Sequence, residues 1–270
     1  MIKVEHIDTW GFEHAVRGMR NPMNSWDRSD SYPWFFDKQD FEDAKEDGDI
    51  GKDCVFQSDL PGASFPTTFV VGKNDLNLMR QLYKAGTEHR TYARMIQVSM
   101  DITAPLYWWK EMDRYTIGKS QVSCSTMHRI AAKEFELDDF SWEQLLNTGC
   151  DLFNYEFGKG SFATQIQPLQ LLTNFIIPAL NECRERYLET KDKVFWWQLI
   201  QLLPSSYNQK RTVCMSYETV FKIIRERTGH KLDEWNDFVK ILRSLPYVEE
   251  IIDETNNICR TKADSENESK

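Results

Sequence analysis

Basic and hydroxyl side chains are concentrated between residues 110 and 129 of the sequence. Asp113 and Arg114 lie three and four positions after Lys110, so on a helix the three side chains share one face. Further polar residues follow: Ser120, Ser123, Ser125, Thr126, His128 and Arg129. Charge-assisted hydrogen bonds from such groups can hold a phosphate. The competing interpretation is a solvated, ion-paired helix face followed by an ordinary polar loop.

A second basic segment begins near residue 203. Residues 84–129 contain seven Lys/Arg against four Asp/Glu, and residues 203–227 contain five against two, although the net charge of the chain is −9. If the fold brings these segments together, they would form a cationic site for a small anion such as a nucleotide. Ordinary scatter of surface charge is the alternative. Within the second segment, Arg211 and Arg225 are interpreted as surface cations.

Two further features could contact a ligand. His89 and Arg90 lie just before a predicted strand, whose polar face could line a cleft. The pairs Trp108-Trp109 and Trp196-Trp197 could stack on a flavin or a base, but such pairs also occur in cores and subunit interfaces. Each feature therefore has both a structural and a functional interpretation.

Several kinds of site are not indicated. The sequence contains no Gly-x-Gly-x-x-Gly, Walker or Gly-x-Ser-x-Gly motif, and its His and carboxylate spacing predicts no metal site. The six cysteines are widely spaced without a Cys-x-x-Cys pair, so we expect reduced thiols. The negative net charge argues against general nucleic-acid binding. No apolar run is long enough for a membrane span or signal peptide, so we expect a cytoplasmic protein.

The elements that must position these residues are predicted from periodicity. Residues 4–10 and 94–102 read as strands, the second because Ile96, Val98, Met100 and Ile102 alternate with polar residues. Asp75 is the expected N-cap of a helix, and Pro105 opens another. Pro178 should kink or divide a long helical segment. Apolar stripes at helical spacing predict helices that begin near Tyr217 and Leu232.

The domain organisation follows from composition. Residues 31–66 hold nine acidic residues against three Lys and are punctuated by Pro and Gly, which predicts an acidic surface insertion outside the core. The charged segment 253–270 is predicted to be a flexible tail. Residues 1–252 are therefore expected to form a single α/β domain.

Two blocks resemble the flavin-dependent thymidylate synthases. Residues 85–129 have the order of that family's Gly-His turn, strand, helix, Arg-His-Arg motif and serine-rich loop. Residues 203–235 resemble its Leu-Pro turn, its Met-Asn helix start at Met215-Ser216, its arginine-ended helix at Arg227, and its downstream His and Glu. The Arg-His-Arg motif falls at Asp113-Arg114-Tyr115 and is not retained. The blocks cover about a third of the chain.

The resemblance implies roles for individual residues. Arg114, Ser123 and Ser125 would be catalytic. The nucleotide would contact Lys110, Ser123, Ser125, Arg129 and Arg227. The flavin would contact His89, Arg90, Arg114, Ser216 and His230. The prediction on which the rest depends is that Arg129 and Arg227 converge on one pocket for a phosphorylated ligand.

The resemblance also implies a fold and an activity. We expect the α+β fold of the thymidylate-synthase-complementing proteins, a small mixed or antiparallel sheet packed with several helices, assembled as a homotetramer. The implied reaction is reductive methylation of dUMP to dTMP with FAD as cofactor and methylenetetrahydrofolate and NADPH as co-substrates. A flavoenzyme that modifies another pyrimidine nucleotide is one alternative. The other is a non-enzymatic nucleotide-binding or assembly protein that has lost flavin.

Overall fold

The computed structural model contains both helices and strands and describes residues 2–35, 37–48, 50, 52, 69–148, 154–156 and 163–252. The strands in these ranges are β1 (Lys3–Trp10), β2 (Tyr32–Pro33), β3 (Phe69–Val70), β4 (Gln97–Pro105), β5 (Lys119–Ser123), β6 (Asn154–Glu156), β7 (Ala163–Gln165) and β8 (Asn208–Ser216). The first α-helices are α1 (Phe12–Arg20), α2 (Lys38–Glu46), α3 (Lys73–Ala85), α4 (Leu106–Met112), α5 (Thr126–Arg129) and α6 (Pro168–Leu171). The later ones are α7 (Ile177–Thr190), α8 (Lys193–Leu202), α9 (Tyr217–Arg227), α10 (Asp233–Arg243) and α11 (Val248–Ile252).

The main sheet has four strands in the order β1-β4-β8-β5. The Tyr217 N–H donates to the Ile96 carbonyl and the Leu106 N–H to the Tyr207 carbonyl, so β4 and β8 run antiparallel. Two smaller antiparallel sheets are formed by β2 with β3 and by β6 with β7. The expected α+β fold class is confirmed.

Buried and partly exposed side chains alternate along β4, as the sequence pattern predicted. Ile96, Val98, Met100 and Ile102 are all 0–1% exposed, while the residues between them are partly exposed. The chain reaches α4 through Pro105, which occupies the N-cap position. The buried side of that helix carries Trp108, Trp109 and Met112, as the sequence predicted.

The contacts divide the chain into two compact units. The first unit comprises Met1–Val4, Asp101–Arg114 and Gln121–Thr212, and the second comprises Glu5–Met100, Tyr115–Ser120 and Val213–Lys270. Boundaries fall inside β1, β4, β5 and β8, so every strand of the main sheet contributes residues to both units. The expectation of a single domain over residues 1–252 stays a prediction.

The first unit has an apolar core to which α7 and α8 contribute. Its buried members are Ile130, Phe135, Phe140, Leu172, Leu180 and Leu199. A π-helical segment, Leu172–Ile176, precedes α7, and Pro178 lies in the first turn of that helix. The kink or division predicted at Pro178 is seen only as a change from π-helix to α-helix beside it, since no non-helical residue separates Leu172–Ile176 from α7.

The second unit buries the apolar faces of α1, α9 and α10. Phe12 packs edge-to-face on Tyr217 at 5.6 Å and on Tyr247 at 5.4 Å between ring centroids. Trp235 and Phe238 of α10 are fully buried. The helical stripes predicted to begin near Tyr217 and Leu232 are confirmed, since the side chains at helical spacing are the buried ones.

The described part of residues 31–66 has a small core of its own. Tyr32, Phe41 and Ile50 are buried together with Val70, and β2 pairs with β3 next to them. The aromatic side chains of this acidic segment bury one another despite the surrounding charge, and its expected place as a surface insertion outside the main core stays a prediction. Residues 53–66 and the predicted tail 253–270 lie outside the described residues.

Gly11 allows the chain to turn from β1 into α1. Its φ is +93°, and a Cβ added there would collide with the carbonyl oxygen of Met95. Gly11→Ala should therefore lower the free energy of unfolding by about 2 kcal/mol, measured by urea titration. Gly229→Ala is the matched control, because Gly229 also has a positive φ, +72°, but no atom lies within 4 Å of an added Cβ. Equal losses in the two variants would contradict the steric argument.

Candidate functional site

Arg227, at the end of α9, is held by a cluster of side chains in the second unit. Its guanidinium carbon lies 4.5 Å from the ring centroid of the fully buried Trp235. Its Nε donates to the Tyr115 hydroxyl at 2.9 Å, and its Nη1 is 3.1 Å from Nε2 of His230. Arg227 and His230, which the sequence assigned to nucleotide and flavin, are therefore neighbours. The half-buried guanidinium is fixed in direction by a ring face and a hydrogen bond.

Tyr115 aligns with the last arginine of the Arg-His-Arg motif in the family that the sequence resembles. Its hydroxyl accepts from Arg227 and donates to Glu226 at 3.0 Å. Burial raises the pKa of Tyr115, and the hydrogen bonds to Arg227 and Glu226 act in opposite directions. The phenol therefore stays neutral at physiological pH and can both accept and donate. The sequence comparison treated Tyr115 as the loss of an arginine, but in the structure its hydroxyl holds Arg227 in place.

His230 links α9 to α10. Its Nδ1 faces the Leu232 N–H at 3.2 Å, and its carbonyl oxygen accepts from Asn236 at 2.8 Å. Each ring nitrogen thus faces a donor, and in a neutral imidazole only one nitrogen can accept at a time. Its predicted flavin contact stays a prediction.

A polar network in the first unit surrounds Arg211. The guanidinium lies 4.2 Å from the Trp109 ring centroid and donates to Asp113 at 2.8 Å and to Gln209 at 2.9 Å. Gln209 in turn donates to the carbonyl of Cys124 and the hydroxyl of Thr126. The side chain of Arg211 is 11% exposed, so its interpretation as a surface cation was wrong. The network ties the start of β8 to the end of α4 and to the turn after β5.

Sequence reasoning missed this network because it did not assign β8. Residues 209, 211, 213 and 215 lie on one face of that strand, and Gln209, Val213 and Met215 are buried. The alternation at Val213 and Met215 was a usable signal. The polar residues Gln209 and Arg211 at the start of β8 obscured this signal, since Gln and Arg are not expected at core positions.

The serine-rich segment is not a loop throughout. Residues 119–123 form β5, which ends at the exposed Ser123. The Ser125 hydroxyl accepts from the His128 N–H at 3.2 Å and caps the short helix α5. Arg129 and Lys110 are exposed. The predicted phosphate ligands therefore include exposed cations and one hydroxyl that already accepts a local hydrogen bond.

Two predicted flavin ligands have structural partners. Arg90 is 6% exposed, with its Nε 3.7 Å from Glu218 and its guanidinium 4.8 Å from the Tyr83 ring centroid. Burial raises the pKa of Glu218, against the lowering effect of Arg90 and other arginines. The buried Ser216 caps α9 by accepting from the Thr219 N–H at 3.4 Å. Both side chains thus stabilise the second unit.

Arg114 and His89, which were also predicted to contact flavin, are exposed. Arg114 follows α4 at the surface of the first unit. His89 lines a cavity of about 200 Å³ in the second unit, together with Glu88, Tyr92 and Met95. Because Arg129 belongs to the first unit and Arg227 to the second, their predicted convergence stays a prediction.

The tryptophan pairs have different environments. Trp108 and Trp109 are 0–1% exposed, and Trp109 Nε1 donates to the Gln209 carbonyl at 2.9 Å, which confirms the structural interpretation for that pair. Trp197 is 43% exposed. Within the described ranges, no group of three or more His, Cys, Asp or Glu could hold a metal ion. Among those same residues, no helix is long and apolar enough to cross a bilayer.

Comparison with known proteins gives structural matches alone. No family model matches the chain, and no curated protein matches its sequence. Thymidylate synthase X (ThyX) from Helicobacter pylori, solved with FAD and dUMP, has a TM-score of 0.54 and 14% identity over 93% of this chain and 95% of that one. The UMP/dUMP methylase PolB from Streptomyces cacaoi, bound with 5-Br dUMP, has a TM-score of 0.53 and 15% identity over 93% of this chain and 94% of the other.

These matches establish a fold similar to that of flavin-dependent thymidylate synthase. The similarity covers nearly the whole of both chains, whereas the sequence resemblance covered about a third of this one. At this identity, the likeness shows the fold and leaves the chemistry to the residues of the chain itself.

Proposed function

We propose that this chain modifies a pyrimidine nucleotide and that its reaction is the reductive methylation of dUMP to dTMP. The observation that carries the proposal is the chain-long structural likeness to two proteins whose structures hold uracil nucleotides or their brominated analogues. The residue-level resemblance to the flavin-dependent thymidylate synthases supports it independently, because it was found in the order and spacing of two sequence blocks.

Arg227 would be a fixed cation for the nucleotide. Arg227 is half-buried, stacked on Trp235 and hydrogen-bonded to Tyr115, so little rotamer freedom is lost when it binds an anion. A planar guanidinium presents several N–H donors, which suits a phosphate or a uracil carbonyl. Its role would be to bind and orient the substrate.

The resemblance also implies nucleotide contacts for residues of the first unit. Lys110, Ser123 and Arg129 are exposed and can donate to a phosphate. Ser125 would hold the turn after β5 in shape through its bond to the His128 N–H, and its hydroxyl could still donate. These residues would neutralise and position the nucleotide.

Flavin fits the chain through part of its predicted ligand set. Arg114 and His89 are exposed and can donate to the phosphates of FAD, whereas Arg90 and Ser216 already stabilise the second unit. When bound, FAD would supply the hydride that reduces the transferred carbon to a methyl group. Methylenetetrahydrofolate would give that carbon, and NADPH would provide the reducing equivalents.

The purified full-length protein tests this function directly. We expect a yellow protein whose absorption spectrum and mass spectrometry after denaturation identify FAD. It should form dTMP from dUMP, methylenetetrahydrofolate and NADPH, and its gene should rescue a thymidine auxotroph. Bound FAD without dTMP formation or rescue would rule out the thymidylate assignment.

A second candidate is a flavoenzyme that modifies another pyrimidine nucleotide. Asp113 and Tyr115 stand at positions where the related family has arginines, and both side chains have hydrogen-bond partners here. The structural likeness to a protein named as a UMP/dUMP methylase also favours it. Turnover of UMP in preference to dUMP would select this candidate. Nucleotide binding without any flavin would instead select the non-enzymatic alternative.

A further inference from the structure

A cavity of about 420 Å³ in the first unit contains none of the residues predicted to bind nucleotide or flavin. Its wall is formed by the turn around α5 and by the hairpin of α7 and α8. The side chains that give it its chemistry are Met127, His128, Tyr187, Lys191, Lys193 and Trp196. The volume is in the usual range for small-molecule sites, which is roughly 300–1,000 Å³.

The lining of this cavity is basic. It contains two lysines and a histidine and no Asp or Glu. The ammonium groups of Lys191 and Lys193 contact the Tyr187 and Trp197 rings at 6.0 and 5.7 Å, and neither forms an ion pair with another described residue. The carboxylate of the intervening Asp192 accepts from the Val194 N–H at 2.9 Å and caps α8. The local field therefore favours an anion.

Lys191 also has an unfavourable backbone conformation. It ends α7 with φ +57°, in the left-handed region where helices usually place glycine or asparagine. A lysine there costs folding free energy compared with glycine, and such strain is often found at binding sites. Because the backbone conformation disfavours lysine here, a role for the lysine side chain is the better explanation for this residue.

The walls of the cavity are fixed by hydrogen bonds between side chains and main chain. Trp196 Nε1 donates to the Met127 carbonyl at 3.1 Å, and Arg184 Nε donates to the Ala131 carbonyl at 3.1 Å. Asn181 binds Phe135 twice, accepting from its N–H at 2.8 Å and donating to its carbonyl at 3.0 Å. The Trp196 ring and the main chain of the facing segment are thus preorganised, which lowers the entropic cost of binding.

We propose that this cavity binds a planar aromatic molecule that carries a phosphate or carboxylate group. The ring packs against Trp196 and Tyr187, and the anion accepts hydrogen bonds from Lys191, Lys193 and His128. This site goes beyond the proposed function and does not depend on flavin. A nucleotide and an aromatic carboxylate share the required chemistry, and separate probes distinguish them.

Titration calorimetry on the full-length protein tests the site with AMP, p-aminobenzoylglutamate and inorganic phosphate as probes, because AMP carries a ring and a phosphate but is not a pyrimidine substrate. At least one aromatic probe should bind, and more tightly than phosphate. Lys191→Gly and Lys193→Gln should each raise its Kd about tenfold, because each removes one charge-assisted contact. Lys84→Gln removes an exposed lysine of the second unit and should leave the Kd unchanged.

Two further variants separate the possible outcomes. Lys191→Gly should hold or raise Tm, because glycine is favoured at this backbone conformation, so weaker binding cannot be attributed to misfolding. Arg227→Ala should leave binding at this cavity intact, which distinguishes it from the proposed nucleotide site. Absence of binding by both aromatic probes, or unchanged Kd values in both lysine variants, would overturn the proposal.

Discussion

Arg227→Ala is expected to weaken dUMP binding about 50-fold. Hydrogen bonds to a charged group contribute about 1.5–3 kcal/mol, and each 1.4 kcal/mol is a factor of about ten in Kd. Trp235 and Tyr115 hold the guanidinium in one direction. Removing the guanidinium therefore deprives the ligand of both a positive charge and a preformed hydrogen-bond donor. Isothermal titration of the purified protein with dUMP measures the change.

Two matched variants serve as controls for Arg227→Ala. Arg225→Ala removes an exposed arginine from the same helix and should leave the Kd within about twofold. Tyr115→Phe keeps the ring but removes the hydroxyl that accepts from Arg227, so we expect an intermediate loss of about fivefold. Wild-type affinity in Arg227→Ala, with an unchanged Tm, would exclude this arginine from the nucleotide site.

Asp75→Ala is expected to lower the free energy of unfolding by about 4 kcal/mol. Its fully buried carboxylate accepts from Arg20 at 2.7 Å and from the hydroxyls of Ser29 and Ser31 at 2.6 Å. Arg20 is itself 6% exposed, so the substitution leaves a buried cation without its carboxylate. Breaking such a pair by removing one partner typically costs about 3–5 kcal/mol.

Urea unfolding followed by circular dichroism measures this loss. Asp75→Asn keeps the shape of the side chain but not its charge and should have a midpoint between those of wild type and Asp75→Ala. Glu182→Ala breaks a half-exposed ion pair with Arg186 and should leave the midpoint nearly unchanged. The same midpoint for Asp75→Ala and wild type would show that the buried pair does not stabilise the fold.

Asp75 illustrates where local sequence rules fail. The sequence predicted it as the N-cap of α3, but that helix begins at Lys73. The Asp30 carboxylate accepts instead from the N–H groups of Asn74 and Asp75 at 2.9 and 3.2 Å. Asp30 can approach because Gly72 has no side chain. A cap supplied from 45 residues away in sequence is invisible to a rule that looks for one locally.

The family resemblance predicted the fold better than it predicted the roles of individual residues. It predicted the α+β fold, and it placed Arg227 beside His230, because the spacing across the end of α9 is local. It assigned Arg90 and Ser216 to flavin, whereas burial gives them partners within the protein. Spacing identifies which residues are near one another along an element, but it does not show which of them face solvent.

The sequence by itself determined the elements whose signals are local. The alternation in β4 and the stripes of α9 and α10 follow from the geometry of a strand and a helix, and the change of helix type beside Pro178 follows from its ring. Only the tertiary structure decided that Arg211 is covered by Trp109, that Asp75 is buried against Arg20, and that Lys191 and Lys193 line one cavity. These depend on contacts between residues far apart in the chain, and whether a charged side chain is solvated or paired is set by what folds over it.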